Sequence, residues 1–307
     1  VQRIGILTHP LRPGAGPVRE QLDALLQTRG ISTWQRSTSD DNSTLVPLIA
    51  DSDLVIAIGG DGTMLRAART CAPAHVPVFG INTGRLGFLT ETSGADDSWR
   101  AAIETLLDGH YWIEQRMMIT AEVWRNGTMI VRADALNDVV VSRSMVARSV
   151  YLDLYIDGGW TAEYHVDGLI IATPTGSTAY ALAVGGPILP PELKNLLIAP
   201  VAPHLSMDRS IVLAEGATVE IVLAPDTLID VVMTVDGESD AALQPADRVI
   251  VRASEQHSHF VRLRERNYFY RSLLDRMEPR IRARQMPTDQ TVPKIGTAPT
   301  TAVVKEL

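Results

Sequence analysis

The sequence predicts an α/β N-terminal domain on a parallel sheet, followed by a mostly-β C-terminal domain. Three observations predict it. Up to about residue 107, short apolar runs alternate with amphipathic stretches of helical length, the pattern of βαβ units with right-handed crossovers and of a Rossmann-like plan. From about residue 117 onward, apolar and polar residues alternate at a spacing of two. Within that second part, Asn126-Gly127 and Asp157-Gly158-Gly159 each separate two β-rich runs, as hairpin turns do.

In chain order, residues 3–8 (RIGILT) form an apolar strand and 16–29 an amphipathic helix closed by Gly30. Strands are expected at 31–35, 53–58 and 77–81, and helices at about 62–70 and 96–107. A parallel sheet binds ligands at the carboxyl ends of its strands. GGDGT (59–63) follows the strand 53–58, and NTGRLGFLTE (82–91) follows the strand 77–81. After the two hairpins come strand patterns at 168–173, 210–214, 218–223, 230–236, 248–253 and 259–263, with a short helix at about 177–184. Residues 267–277 read as a helix, and the Thr- and Pro-rich remainder as a flexible tail. The expected division is 1–116, an α/β domain; 117–265, a β-rich domain; 266–280, a C-terminal helix; and 281–307, the tail.

Composition narrows the partners. A chain of 307 residues that is 45% hydrophobic and 21% charged has material for one large or two ordinary globular domains. A formal charge of -8 gives no global basic field for nucleic acid, and no apolar run reaches membrane-spanning length. Cys71 is the single cysteine, read as a small apolar helix residue, so neither an internal disulfide nor a cysteine-built zinc site is expected. The first residues enter a strand pattern without a leader, and the expected location is the cytoplasm.

The glycine turn narrows the chemistry. Lys194, Lys294 and Lys305 are the only lysines, and Thr63 and Met64 stand where a P-loop needs Lys and Ser or Thr. The dinucleotide pattern G-x-G-x-x-G also fails, because Leu65 occupies the third glycine position. Glycines before a helix still suit phosphate. A carboxylate among them, Asp61, repels phosphate unless a metal ion intervenes or the acid accepts a substrate hydroxyl as general base. The plainer reading is helix capping by Asp61 or Thr63.

Three further segments carry polar groups beyond what turns require. Gly84 and Gly87 flank Arg85, which is either a solvated loop residue or the cation that the missing lysine would have supplied. Asn137-Asp138 enters a strongly apolar strand, as a strand-entry turn or as an amide and carboxylate for ribose or base edges. The run from His165 to Pro190 puts hydroxyls and glycines after an apolar strand, which suggests a second polar ligand surface facing GGDGT. His165 and Asp167, two apart on a strand, point to one face.

Together GGDGT (59–63), NTGRLGFLTE (82–91), ALNDVVV (135–141) and DGLIIATPTGSTAY (167–180) resemble the bacterial NAD kinase family in identity, order and spacing, over residues 3 to 275. GGDGT alone is shared with lipid kinases and, distantly, phosphofructokinases, whereas TPTGSTAY and NTG-LGF are much more specific. The resemblance implies a β-sandwich-like second domain, with the C-terminal helix returning to the first domain. It also implies phosphoryl transfer to the 2′-hydroxyl of the adenosine ribose of NAD, from ATP or inorganic polyphosphate. A divalent cation, Mg²⁺, is expected to travel with the donor, and the chain to form a homodimer or homotetramer.

By that resemblance Asp61 accepts the hydroxyl proton, and Gly59, Gly60, Gly62 and Thr63 bracket the donor phosphates; Arg85 is placed with them on the reading that it supplies the missing cation. NAD contacts are implied at Asp61, Gly62, Phe88, Asn137, Asp138, Arg148, His165, Asp167, Thr178, Ala179, Tyr180, Ala183 and Glu238. No metal ligands are assigned, and His204 reads as structural. Three positions depart from the family: Ala183 where many members have Ser, Asp138 for the commoner Glu, and Glu238 for a frequent Gln. The alternatives are a lipid or other small-molecule kinase built on GGDGT, or a non-catalytic NAD(P)-binding module.

Overall fold

A computed structural model describes residues 1–10, 14–84, 87–144 and 148–277. Arg85, the tail 281–307 and the last residues of the helix expected at 266–280 lie outside the described residues. Val1–Phe269 form one compact unit, and a second begins at Tyr270.

The first part reads β1 (Arg3–Thr8), α1 (Ala15–Thr28), β2 (Ser32–Ser37), α2 (Asn42–Ala50), β3 (Leu54–Gly59), α3 (Asp61–Cys71), β4 (Val78–Asn82), β5 (Thr92–Ser93) and α4 (Ser98–Leu107). Strands β1 to β4 are parallel, in the order β4-β3-β1-β2. Alternating side chains divide between the two faces of the sheet. Ile4, Ile6, Ile56 and Ile58 pack with Leu22 and Leu26 of α1 and with Trp99 and Ile103 of α4. Leu7, Val55 and Ala57 pack on the other face with Leu45 and Ile49 of α2 and Met64 and Ala67 of α3. Helix α1 ends as its sequence predicts: Gly30 takes φ +73°, its N–H donates to Gln27 O, and the Ile31 N–H donates to Leu26 O.

The second part continues with β6 (Trp112–Arg125), β7 (Thr128–Ala135), β8 (Asp138–Arg143), β9 (Val150–Ile156), β10 (Gly159–Val166), β11 (Gly168–Ala172), α5 (Tyr180–Ala183), β12 (Asn195–Val201) and β13 (Ile211–Ala214). It closes with β14 (Val219–Leu223), β15 (Val231–Val235), β16 (Glu238–Leu243) and β17 (Arg248–Arg262), before α6 (Tyr268–Met277). Six strands, β13-β12-β11-β8-β15-β16, form a sheet of their own. It faces β6, β9, β14 and β17 across a hydrophobic core that includes Ile119, Leu154 and Val251 on one side and Val141, Ile171 and Met233 on the other. This is the expected sandwich.

The long strand β17 joins the two parts. It pairs antiparallel with β6 and β14 and reaches β4 in parallel at Phe260 and Val78, so the parallel sheet and one leaf of the sandwich are a single eleven-stranded sheet. The sequence reads this strand as two, 248–253 and 259–263. The register shift between Ala253 and His257 is why, since an irregularity there breaks the alternation. Helix α2 and strands β12 and β16 were not expected from the sequence. Pro47 lies inside α2, and Pro200 inside β12, where each reads as a breaker.

Candidate active site

Strand β3 runs buried to Gly59, and Gly60 in extended conformation (φ -103°, ψ -171°) caps α3 at its N-terminus. Neither Asp61 nor Thr63 makes a side-chain capping bond, which overturns the capping reading. The Asp61 carboxylate instead accepts the backbone N–H of Phe88 (2.7 Å, at Oδ2) and of Leu89 (3.2 Å, at Oδ1) from the loop after β4. Gly87 makes room for this carboxylate, and Gly59 makes room for the Thr63 side chain. A Cβ on Gly87 would fall 1.7 Å from Asp61 Oδ1, and one on Gly59 would fall 2.2 Å from Thr63 Oγ1.

The loop that holds Asp61 is itself held from behind. Buried Asn82 donates through Nδ2 to Thr90 Oγ1 (3.1 Å) and accepts the Gly84 N–H at Oδ1 (2.6 Å), while the Gly87 N–H donates to Thr90 Oγ1 (2.9 Å). Buried Arg262 donates to the carbonyl of Leu89 (2.9 Å) and pairs with Glu91 (3.2 Å) and Glu114 (2.8 Å). Arg116 joins Glu114 and donates to Tyr268 Oη (2.7 Å). Burial works against the charge on Glu114, but Arg116 and Arg262 outweigh it and hold its carboxyl at about 2. The start of α6 meets the first part here: Tyr268 in this cluster, and the Phe269 ring 6.3 Å from that of Phe88.

On the sandwich side, one residue organises the polar entry to β8. Asp236, at φ +51° in the turn between β15 and β16, accepts the N–H groups of Leu136 (2.9 Å), Asn137 (2.7 Å) and Asp138 (3.1 Å). Its carboxyl is raised by burial in spite of those bonds. Burial, and then the neighbouring Asp236, push Asp138 up to about 7. The segment after β11 closes on the same entry to β8, since a Cβ on Gly176 would lie 2.0 Å from the Asn137 carbonyl oxygen.

Two hollows meet at Asp236. One, of about 340 Å³, is lined by Asn137, Asp138, Ala179, Tyr180 and Gly237 among others, and so gathers four of the sequence-predicted residues. The other, of about 300 Å³, lies where His9 follows β1 and Gly62 and Thr63 open α3. Chain connections leave β1 toward β2 on one side and β3 on the other, so this second hollow sits at the crevice where α/β sheets bind ligands.

The remaining predicted residues fall elsewhere. Glu238 lines the second hollow and not the first, with its carboxylate on Arg66 (3.1 Å) and Arg69 (2.5 Å) of α3. His165 stacks face to face on Tyr151 (4.3 Å between ring centroids) with His204 5.5 Å away, so His204 shares its surroundings. A two-bond contact from Arg143 (2.8 and 2.6 Å) holds the Asp167 carboxyl below its usual range. Arg148 is exposed. The hydroxyl-rich segment is less open than its composition suggests: Thr173 and Ser177 are fully buried, donating to Leu136 O and Pro174 O. Thr178 is half-buried and donates to Thr175 O (3.1 Å), while Tyr180 is exposed.

Sequence reasoning missed Asp236, Arg66, Arg69, Arg143 and Tyr151. The i, i+3 spacing of Arg66 and Arg69 on one helix face was the visible trace of two of them. Among the described residues no group of three His, Cys, Asp or Glu side chains is placed to hold a metal ion, and no helix is long and apolar enough to cross a membrane.

A Gly-Gly-Asp-Gly turn at the switch point of a parallel sheet, beside a polar cleft in a β-sandwich, defines a nucleotide-using kinase of the GGDGT class. Family models described as the ATP-NAD kinase N-terminal and C-terminal domains match residues 14–111 and 136–263. The chain belongs to the NAD kinase family. It is 40% identical over 277 residues to the NAD kinase of Chloroflexus aggregans, covering 90% of this chain and 99% of that one. It is 34% identical to that of Dehalococcoides mccartyi, over 89% of this chain and 94% of the relative. The fold matches that of yeast NADH kinase complexed with NADH (TM-score 0.80, 20% identity, 90% of this chain and 87% of that chain). It also matches an NAD kinase from Archaeoglobus fulgidus in complex with ATP (TM-score 0.70, 21% identity, 89% and 97%).

Proposed function

We propose that this chain transfers a phosphoryl group from ATP or inorganic polyphosphate to the 2′-hydroxyl of the adenosine ribose of NAD, giving NADP. One observation carries the mechanism. The Asp61 carboxylate is fixed by two backbone N–H groups from another loop, beside Gly60, Gly62 and Thr63, with lone pairs left for a hydroxyl. In the reaction Asp61 takes the 2′-hydroxyl proton as the oxygen attacks the terminal phosphorus. The bond from that phosphorus to its bridging oxygen breaks, and ADP or the shortened polyphosphate leaves.

The rest of the protein positions the two substrates. In our assignment residues 1–116 carry the donor end, with Gly59, Gly60, Gly62, Thr63 and Arg85, and residues 117–265 carry the dinucleotide. Asn137, Asp138, Ala179 and Tyr180 are assigned to NAD because they share one hollow. Phe88, Arg148, His165, Asp167, Thr178 and Ala183 are assigned on the family resemblance. Mg²⁺ bound to the donor phosphates would offset their charge. The family also supports a cytoplasmic homodimer or homotetramer.

The test is NADP formation from NAD and Mg²⁺ with ATP or with polyphosphate. The wild type should form NADP with at least one donor. Asp61→Asn should lose on the order of 10²- to 10⁴-fold in kcat, the usual contribution of a positioned base. Wild type making no NADP with either donor sinks the reading, and full rate in Asp61→Asn removes the mechanism.

A further inference from the structure

The 300 Å³ hollow at the switch point has a composition that phosphate turns alone do not explain. Gly62 and Thr63 form one wall, and Arg66 and Arg69, one turn and two turns further along α3, continue it. His9, Thr38 and Ser39 face them from the carboxyl ends of β1 and β2. Two guanidinium groups aligned with a glycine-rich helix start are the donors that successive phosphates of a chain would use. A built-in carboxylate already spans them: Glu238 places Oε1 3.1 Å from Arg66 and Oε2 2.5 Å from Arg69.

That carboxylate is poorly anchored. Its side chain is 48% exposed and that of Arg66 37%, so water screens the pair and a polyvalent anion competes well with it. Arg69 is more firmly placed, 22% exposed, 3.7 Å from buried Asp236 and bonded to Val235 O. The two arginines thus have different standing: Arg69 belongs to the frame, and Arg66 depends on Glu238 or on an incoming anion.

We infer that this hollow receives the polyphosphate tail of the donor along Arg66 and Arg69, with Glu238 holding those arginines in place of phosphate until the donor displaces it. The inference rests on the kinase reading for its meaning, and it moves Glu238 from the dinucleotide to the donor side of the site. Glu238 then sets how strongly the enzyme holds a phosphate chain, and Arg66 is the group it releases.

The experiment is calorimetric titration of the full chain with magnesium tripolyphosphate, without NAD, for wild type, Glu238→Gln and Arg66→Gln. Glu238→Gln should bind tripolyphosphate roughly three- to tenfold more tightly than wild type, and Arg66→Gln more weakly by a similar factor, as expected for partly solvated charge pairs. The KM for NAD should stay the same in both. Equal affinities in all three proteins, or weaker binding by Glu238→Gln, overturn the inference. So does an effect of Glu238→Gln on the NAD KM alone, which returns the residue to the dinucleotide. Thermal unfolding checks that both variants fold. A wild type that makes no NADP defeats the kinase reading but leaves the order of binding readable, and NADP formation without that order defeats only this inference.

Discussion

Gly87 touches Asp61 so closely that a single added methyl group would lie 1.7 Å from the carboxylate oxygen. The acid's position is therefore dictated by a residue 26 places further along the chain, and by the two N–H groups that follow it. Gly87→Ala should push the carboxylate off its bonds to Phe88 and Leu89. A misplacement of about 1 Å costs roughly 10²-fold in rate, so kcat should fall by that order while the far-ultraviolet circular dichroism stays native. Steady-state kinetics beside the spectrum check it.

Asp138 gives stability a pH dependence. Its carboxyl rises from 3.8 to about 7 on folding. The folded state therefore holds the proton more tightly than the unfolded chain, and stability falls as pH climbs from about 4 to about 7. Asp138→Asn removes this loss. Its unfolding free energy should gain on the wild type between pH 4.5 and pH 8, by at most about 4 kcal/mol from a three-unit shift. A gap that stays constant with pH in urea melts would refute the assignment.

Glu114 acts in the opposite sense. Held at about 2 against an ordinary 4.5, it contributes stability above pH 4.5 that disappears as pH falls through about 2. Glu114→Gln leaves buried Arg262 and Arg116 short of an anion, and breaking a buried pair costs about 3–5 kcal/mol. Denaturant unfolding at pH 7 should show that loss, and the difference from wild type should shrink toward pH 2.

Asp236 should act on dinucleotide binding more than on the chemical step. Asparagine at this position keeps the shape but presents an amide where three N–H donors converge. Losing such buried acceptance costs about 1–3 kcal/mol. Asp236→Asn should raise the KM for NAD on the order of tenfold with a smaller change in kcat, and it should lower the Asp138 carboxyl by removing the neighbouring charge. Initial-rate kinetics at varied NAD separate the two parameters.

Burial pushes the Cys71 thiol well up, in the core beside α2. A thiol-specific reagent should leave the folded protein unmodified and label it one-to-one once denatured. Labelling at native rates would place Cys71 at a surface.

The parts of the fold readable in the sequence were those governed by local chemistry. Asn126-Gly127 and Asp157-Gly158 both take positive φ, the conformation their residue types favour, and their hairpins fell where expected. Helix α2 was hidden by Pro47, and β17 was split by its own irregularity, because tertiary packing outweighed local preference in both. The site divides the same way. GGDGT announced a phosphate turn through composition, but what holds Asp61 comes from residues 88 and 89, and Glu91, Glu114, Arg116 and Arg262 become neighbours only through the sheet. Glu238 was legible as a departure from the family pattern, yet its arginine partners are 172 and 169 residues away.

Phe260 sits in the core that the parallel sheet shares with α2 and α3, yet it follows its partner Val78 by 182 residues (260 − 78). During synthesis the N-terminal part emerges with β4 paired to β3 but open at Val78 on its other edge, and with a gap where that ring and Met118 belong. It stays unfinished until β17 is out. Fragments stopped short of β17 should therefore be sticky and chaperone-dependent, and the half bearing Asp61 has no mature form of its own before the other half is complete.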